Sequence, residues 1–151
     1  MSRIKIIAIE GGDNVGKSTI AKMLSDYLDI ELIKFPNENK IDTLKTLTPG
    51  TYIFDRYKIS EVVDGLANGV NEQYIRNSAD LLPDPDITFL LTGRSYGHDA
   101  DIYGNDEYQS TITKLYLTEA KNSSGRIEII NNEKSADAVL EEVFRKMRGI
   151  I

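Results

Sequence analysis

The run Gly11-Gly12-Asp13-Asn14-Val15-Gly16-Lys17-Ser18-Thr19 places glycines, one lysine and two hydroxyls in a spacing suited to holding phosphate. Gly11, Gly16, Lys17 and Ser18 fill the fixed places of the pattern G-x-x-x-x-G-K-[ST], with Gly12, Asn14, Val15 and Thr19 as further phosphate-binding positions. Glycines let the backbone curl so that several N–H groups converge on an anion. A helix starting there adds its own unpaired N–H groups and the positive end of its dipole. Lys17 then reaches the β- and γ-phosphates of a nucleotide, and the Ser18 hydroxyl ligates Mg²⁺. The plainer alternative is a glycine-rich turn that merely opens a helix. It lacks the need for an apolar strand before the loop, and this chain has one.

Two more residue types of interest lie downstream. Asp55 follows the apolar Tyr52-Ile53-Phe54. A carboxylate at the end of a buried strand beside a phosphate loop can hold Mg²⁺ or its waters, or accept a proton; it can also cap the next helix. Arg56 beside it can clamp a phosphate with two parallel N–H donors, or simply form a surface ion pair. Arg94, in the glycine-containing stretch from Gly93 to Gly104, is a candidate mobile cation over the transferring group or a solvated loop charge.

These residues need a scaffold, and the hydrophobic pattern supplies one. Strands are expected at Arg3–Ile9, Glu31–Lys34, Thr51–Phe54, Ile87–Leu91 and Arg126–Ile130. Helices are expected at Lys17–Leu28, Lys40–Leu47, Ile59–Ala67, Asn71–Leu81, Glu107–Ala120 and Ala136–Met147. Gly93 to Asn105 has no periodicity and reads as a loop. Strands alternating with helices imply an α/β fold whose parallel sheet is covered on both faces, with ligands beyond the carboxyl ends of the strands. That rim would carry the glycine loop, Phe35-Pro36, Asp55-Arg56 and Gly93-Arg94.

The chain has 151 residues, 40% hydrophobic and 28% charged, which suits a single domain spanning 1–151. Its net charge of −6 argues against a nucleic-acid or anionic-membrane binder. There is no cysteine and one histidine, His98, so thiolate sites are excluded and zinc sites have little scope. No apolar run approaches a membrane span and no signal segment precedes the first strand, so the expected setting is cytoplasmic.

Taken in order, Glu10 through Thr19, Lys34-Phe35-Pro36, Asp55-Arg56-Tyr57 with Ser60, and Leu82-Pro83-Asp84-Pro85-Asp86 resemble the thymidylate kinase family. The resemblance implies a P-loop NTPase fold: a three-layer α/β/α sandwich on a five-stranded parallel sheet, with a short lid at about Gly93 to Asn105. It implies phosphoryl transfer from ATP, with Mg²⁺, to a deoxynucleoside monophosphate, dTMP giving dTDP. By the same resemblance Asp13 contacts the sugar 3′-hydroxyl of the acceptor, and Asp55 lies near Mg²⁺ and the acceptor. Arg56 bridges the two phosphates, while Phe35-Pro36 forms the acceptor-side turn. Tyr103 lies near the acceptor base, and Tyr57 and Tyr96 are possible stacking platforms or packing residues. A homodimer through helices on one sheet face is also implied, for which Val62, Val63, Leu66 and Ala67 could serve; they could equally be core.

The chain departs from that family on the acceptor side. Only Asn37 to Pro49 separates Phe35-Pro36 from the third strand, without an aromatic residue or an arginine. Glu38 sits about where some members place a phosphate-binding arginine, Lys40 and Lys45 are the nearby cations, and Asp64 stands where an aromatic is expected. A compact viral or mobile-element member would explain the shortening. Two other readings remain: a deoxynucleoside kinase or another small P-loop kinase, and a nucleotide-binding regulatory module without transferase activity.

Overall fold

The computed structural model describes residues 4–12, 16–34, 40–93 and 106–149, without the side chains of Lys40 and of residues 106–109. Short, nearly continuous apolar runs form the strands β1 (Ile4–Glu10), β2 (Glu31–Lys34), β3 (Gly50–Asp55), β4 (Ile87–Thr92) and β5 (Ile127–Asn131). They make one parallel sheet in the order β2-β3-β1-β4-β5. The central β1 places Ile9 opposite both Asp55 of β3 and Phe89 of β4, so the glycine loop emerges between two other strand ends.

Alternation along the strands sorts the core into two layers. Ile7, Ile9, Ile53 and Phe89 face α1 (Lys17–Leu28) and a C-terminal helix, Ala136–Lys146, packing with Leu24, Val139 and Val143. Ile6, Ala8, Tyr52 and Phe54 point the other way, toward α2 (Lys40–Thr46). On that face α3 (Lys58–Ala67) and α5 (Asp106–Asn122) meet over Leu90 through Ile59, Val63, Ile112 and Tyr116. Between them in sequence lies α4 (Glu72–Asp80), and the C-terminal helix is α6. The expected three-layer α/β/α sandwich is therefore the one observed.

Gly65 of α3 lies against Ile75 of α4. A Cβ there would fall 1.5 Å from Ile75 Cδ1, so a larger residue fits only if the Ile75 side chain or a helix shifts. Most element boundaries match the sequence pattern to within a residue, and the differences have local causes. Asn71 is not helical; its side chain caps α4 by accepting from Tyr74 N–H at 3.0 Å. β1 extends to Glu10 because that residue pairs with Leu90 of β4. Of the four residues that could serve a subunit face or the core, Val62 and Val63 are buried in the core, Leu66 is half-buried and Ala67 exposed.

Candidate active site

The sheet ends build the site. Gly16 closes the glycine loop with φ at 82°, a left-handed conformation open to glycine at little cost, and α1 starts at the next residue. Lys17 is buried at the first position of that helix, while Ser18 and Thr19 are exposed. Gly11 and Gly12 are buried at the end of β1. Asp13, Asn14 and Val15 lie outside the described residues, as do Phe35, Pro36, Arg94 and Tyr103.

From the neighbouring strand, Asp55 reaches the same point. Ser18 Oγ donates to Asp55 Oδ2 at 2.8 Å, joining residues far apart in sequence. Asp55 is only 4% exposed, and among the described residues its second oxygen, Oδ1, is buried without a hydrogen-bond partner. A buried carboxylate oxygen left without a donor is costly unless a cation or ligand completes it. Among the described residues no group of three or more His, Cys, Asp or Glu could hold a metal ion. Mg²⁺ does not need one: it is held through one or two protein oxygens together with substrate phosphates and water. The Ser18–Asp55 pair fits that requirement by its hard oxygen donors and its unsatisfied Oδ1.

Arg56 follows immediately. It adopts φ 77°, rare for a residue with a side chain, and its N–H donates to the Ile9 carbonyl at 2.9 Å. That bond turns the chain sharply at the strand end and leaves the Arg56 side chain on the rim, where Nη2 donates to Asp64 Oδ2.

Tyr57 differs from its expected role. It is fully buried, packs its ring at a tilt against Phe54 with centroids 5.1 Å apart, and donates its hydroxyl to the Pro83 carbonyl at 2.7 Å. Burial, reinforced by Asp84 and Glu10, raises its phenol pKa. Its ring offers no face to a base, so in this structure Tyr57 is a packing residue.

Two features escaped the sequence reading. The first is Glu10, buried directly before the glycine loop. Its carboxylate accepts from Ile59 N–H at 2.8 Å, from Ser60 N–H at 3.2 Å and from Ser60 Oγ, capping α3. Burial raises its pKa despite those bonds. Tyr116 of α5 joins the cluster, its hydroxyl 2.9 Å from Ser60 Oγ. Here the signal was a charged residue ending an apolar run.

The second is a cavity of about 410 Å³ lined by Gly16, Thr19, Ile20 and the β5–α6 turn from Asn132 to Ala136. That turn is firmly built. Asn132 N–H donates to Thr92 O at 2.7 Å, Glu133 N–H to Asn131 Oδ1 at 2.9 Å, and Ser135 caps α6. Gly93 passes close beside it, where a Cβ would meet Asn131 Oδ1 at 3.0 Å. The polar pair Asn131-Asn132 at a strand's carboxyl end was the available signal.

No protein-family model matches the chain. A protein of Sulfolobus acidocaldarius named as a probable thymidylate kinase is 29% identical, with 92% of this chain and 94% of the relative covered. A protein of Invertebrate iridescent virus 6, also named as a thymidylate kinase, is 28% identical, with 74% of this chain and 73% of the relative covered. The chain is thus similar to thymidylate kinases over most of its length. The thymidylate kinase of Ehrlichia chaffeensis superposes with a TM-score of 0.72 at 19% identity, covering 97% of this chain and 99% of that one. The Mycoplasma mycoides deoxyadenosine kinase, solved with dCMP and dCDP, reaches 0.68 at 22% identity, covering 97% and 100%. At such identities these two establish the shared fold. The alignment with the Sulfolobus thymidylate kinase runs over 183 positions, more than the 151 residues here, so that relative carries interior segments this chain lacks.

Proposed function

We propose that this protein transfers the γ-phosphoryl group of ATP to a deoxynucleoside monophosphate, converting dTMP to dTDP. The observation that carries the reading is the Ser18–Asp55 pair beside buried Lys17, with Asp55 Oδ1 awaiting a partner. The names of the two curated relatives supply the acceptor class.

In this reading the loop from Gly11 to Gly16 and the start of α1 hold the donor phosphates by N–H groups and helix dipole. Lys17 neutralises the β- and γ-oxygens. Ser18 and Asp55 would hold Mg²⁺, which would supply positive charge to offset that of the phosphates. The cavity beside the β5–α6 turn takes the donor base. Arg56 spans donor and acceptor phosphates, so that negative charge gathering on the transferring group meets fixed positive charge. Asp13, Phe35, Pro36 and Tyr103 complete the acceptor side, and Arg94 closes over the phosphates from the lid. A cytoplasmic setting and a homodimer belong to the same proposal.

A deoxynucleoside acceptor is the second reading. It is favoured by the stretch from Asn37 to Pro49, which offers no arginine to grip an acceptor phosphate. A coupled assay of ADP release, with ATP, Mg²⁺ and a panel of deoxynucleosides and their monophosphates, decides between them. Release dependent on dTMP supports the proposal, and release dependent on a nucleoside replaces it with the second. ATP binding without any acceptor-dependent turnover makes the protein a nucleotide-binding module.

A further inference from the structure

We propose that Asp64 is the positioning residue for Arg56, fixing the guanidinium at the phosphate site before a ligand arrives. The proposal deepens the reading of Arg56 as phosphate clamp and rests on it. An arginine side chain is long and rotamer-rich, so pinning its backbone does not pin its charge. Arg56 is held at both ends. Its N–H bonds the Ile9 carbonyl at 2.9 Å, and its Nη2 bonds Asp64 Oδ2. Asp64 stands on α3, and α3 is itself tied to the glycine loop. Glu10, the residue before Gly11, accepts from the N–H groups of Ile59 and Ser60 and from Ser60 Oγ. Backbone and guanidinium of Arg56 therefore both refer back to β1, the strand that carries the phosphate loop. A guanidinium has five N–H donors, and the bond to Asp64 is made by one of them, on Nη2. Holding a cation ready in this way lowers the ordering cost of the reacting geometry.

The pair is partly exposed, at 31% for Arg56 and 54% for Asp64, so water screens it and its effect is modest. The test is steady-state kinetics at saturating ATP and Mg²⁺ for Asp64→Ala and Asp64→Asn, each also in the Arg56→Ala background. Asp64→Ala should lower kcat about twofold to fivefold, with the KM for ATP essentially unchanged. Asp64→Asn, whose amide oxygen can still accept the bond, should restore most of that loss. In the Arg56→Ala background Asp64→Ala should do nothing further. A rise in kcat or a tighter acceptor KM in Asp64→Ala would show that Asp64 holds the arginine back, and would overturn the proposal. An equal loss without Arg56 would also overturn it. If the wild type transfers phosphate to no acceptor, the functional reading fails by itself. The positioning is then read from Arg56 guanidinium ¹⁵N resonances. Slow rotation in the wild type that averages in Asp64→Ala supports it, and averaging in both refutes it.

Discussion

The donor and acceptor sides proposed for this site are built differently. On the donor side every described group is anchored to a sheet end or a helix start. Lys17 and Ser18 open α1, Asp55 ends β3, and the β5–α6 turn is closed by its own hydrogen bonds. On the acceptor side the described residues offer Arg56 with its partner Asp64, and α2 lends Ile41 and Leu44 to the core. Interior segments present in the Sulfolobus relative are missing from this chain. In the proposed reading, the groups assigned to the triphosphate are the ones tied to strand ends and helix starts, and acceptor choice falls to a few side chains.

The largest test of that contrast is Lys17→Ala. It should cut transfer about a thousandfold while the circular dichroism spectrum stays native. A variant with near-normal turnover would remove the donor side from the argument. Asp55→Asn comes next, with a loss of about a hundredfold or more and a steeper Mg²⁺ requirement in a titration at fixed ATP. Arg56→Ala sharpens the comparison best. Turnover should fall about a hundredfold, yet ATP affinity measured by calorimetry should change less than about threefold. A large loss of ATP affinity would mean that Arg56 belongs to the donor side.

Smaller effects probe the frame between the two sides. Glu10→Gln puts an amide where three donors need an acceptor, and should cost about 2–3 kcal/mol of stability in denaturant unfolding. The raised pKa of Glu10 sets a sign as well. Between the ordinary carboxylate range and the raised native value, the folded protein binds a proton that the unfolded chain has released. This group's contribution is therefore most favourable below the ordinary range and is lost as pH rises through the folded value. Glu10→Gln should flatten that slope in thermal melts taken across the window. Tyr57→Phe should be mildest, about 1 kcal/mol for the lost bond to Pro83, with turnover unchanged. A large rise in acceptor KM would return Tyr57 to the binding site.

The comparison also separates what was legible early from what was not. The phosphate loop, the order of strands and helices, and the Asp55-Arg56 step could all be read from the chain. Each is written in a short window, by glycine spacing, apolar periodicity or the residue ending a strand. Tyr57 shows the limit: its type suits stacking on a base as well as packing in a core, and only its place under Phe54 and Pro83 decides. Val62 and Val63 show it again, since an apolar helix face does not say what will cover it.

By itself, the sequence determined that a lysine and a serine begin a helix behind a glycine loop, and that an aspartate ends a buried strand elsewhere. Tertiary structure alone decided that Ser18 and Asp55, 37 residues apart, share a hydrogen bond. It also decided that Glu10 caps a helix 49 residues away, and that the cavity beside Gly16 and Thr19 is completed by the β5–α6 turn. The physical reason is range. Backbone preferences and side-chain periodicity act over a few residues, whereas these contacts depend on strand order and register. Those are settled only when the two layers of helices close on the sheet.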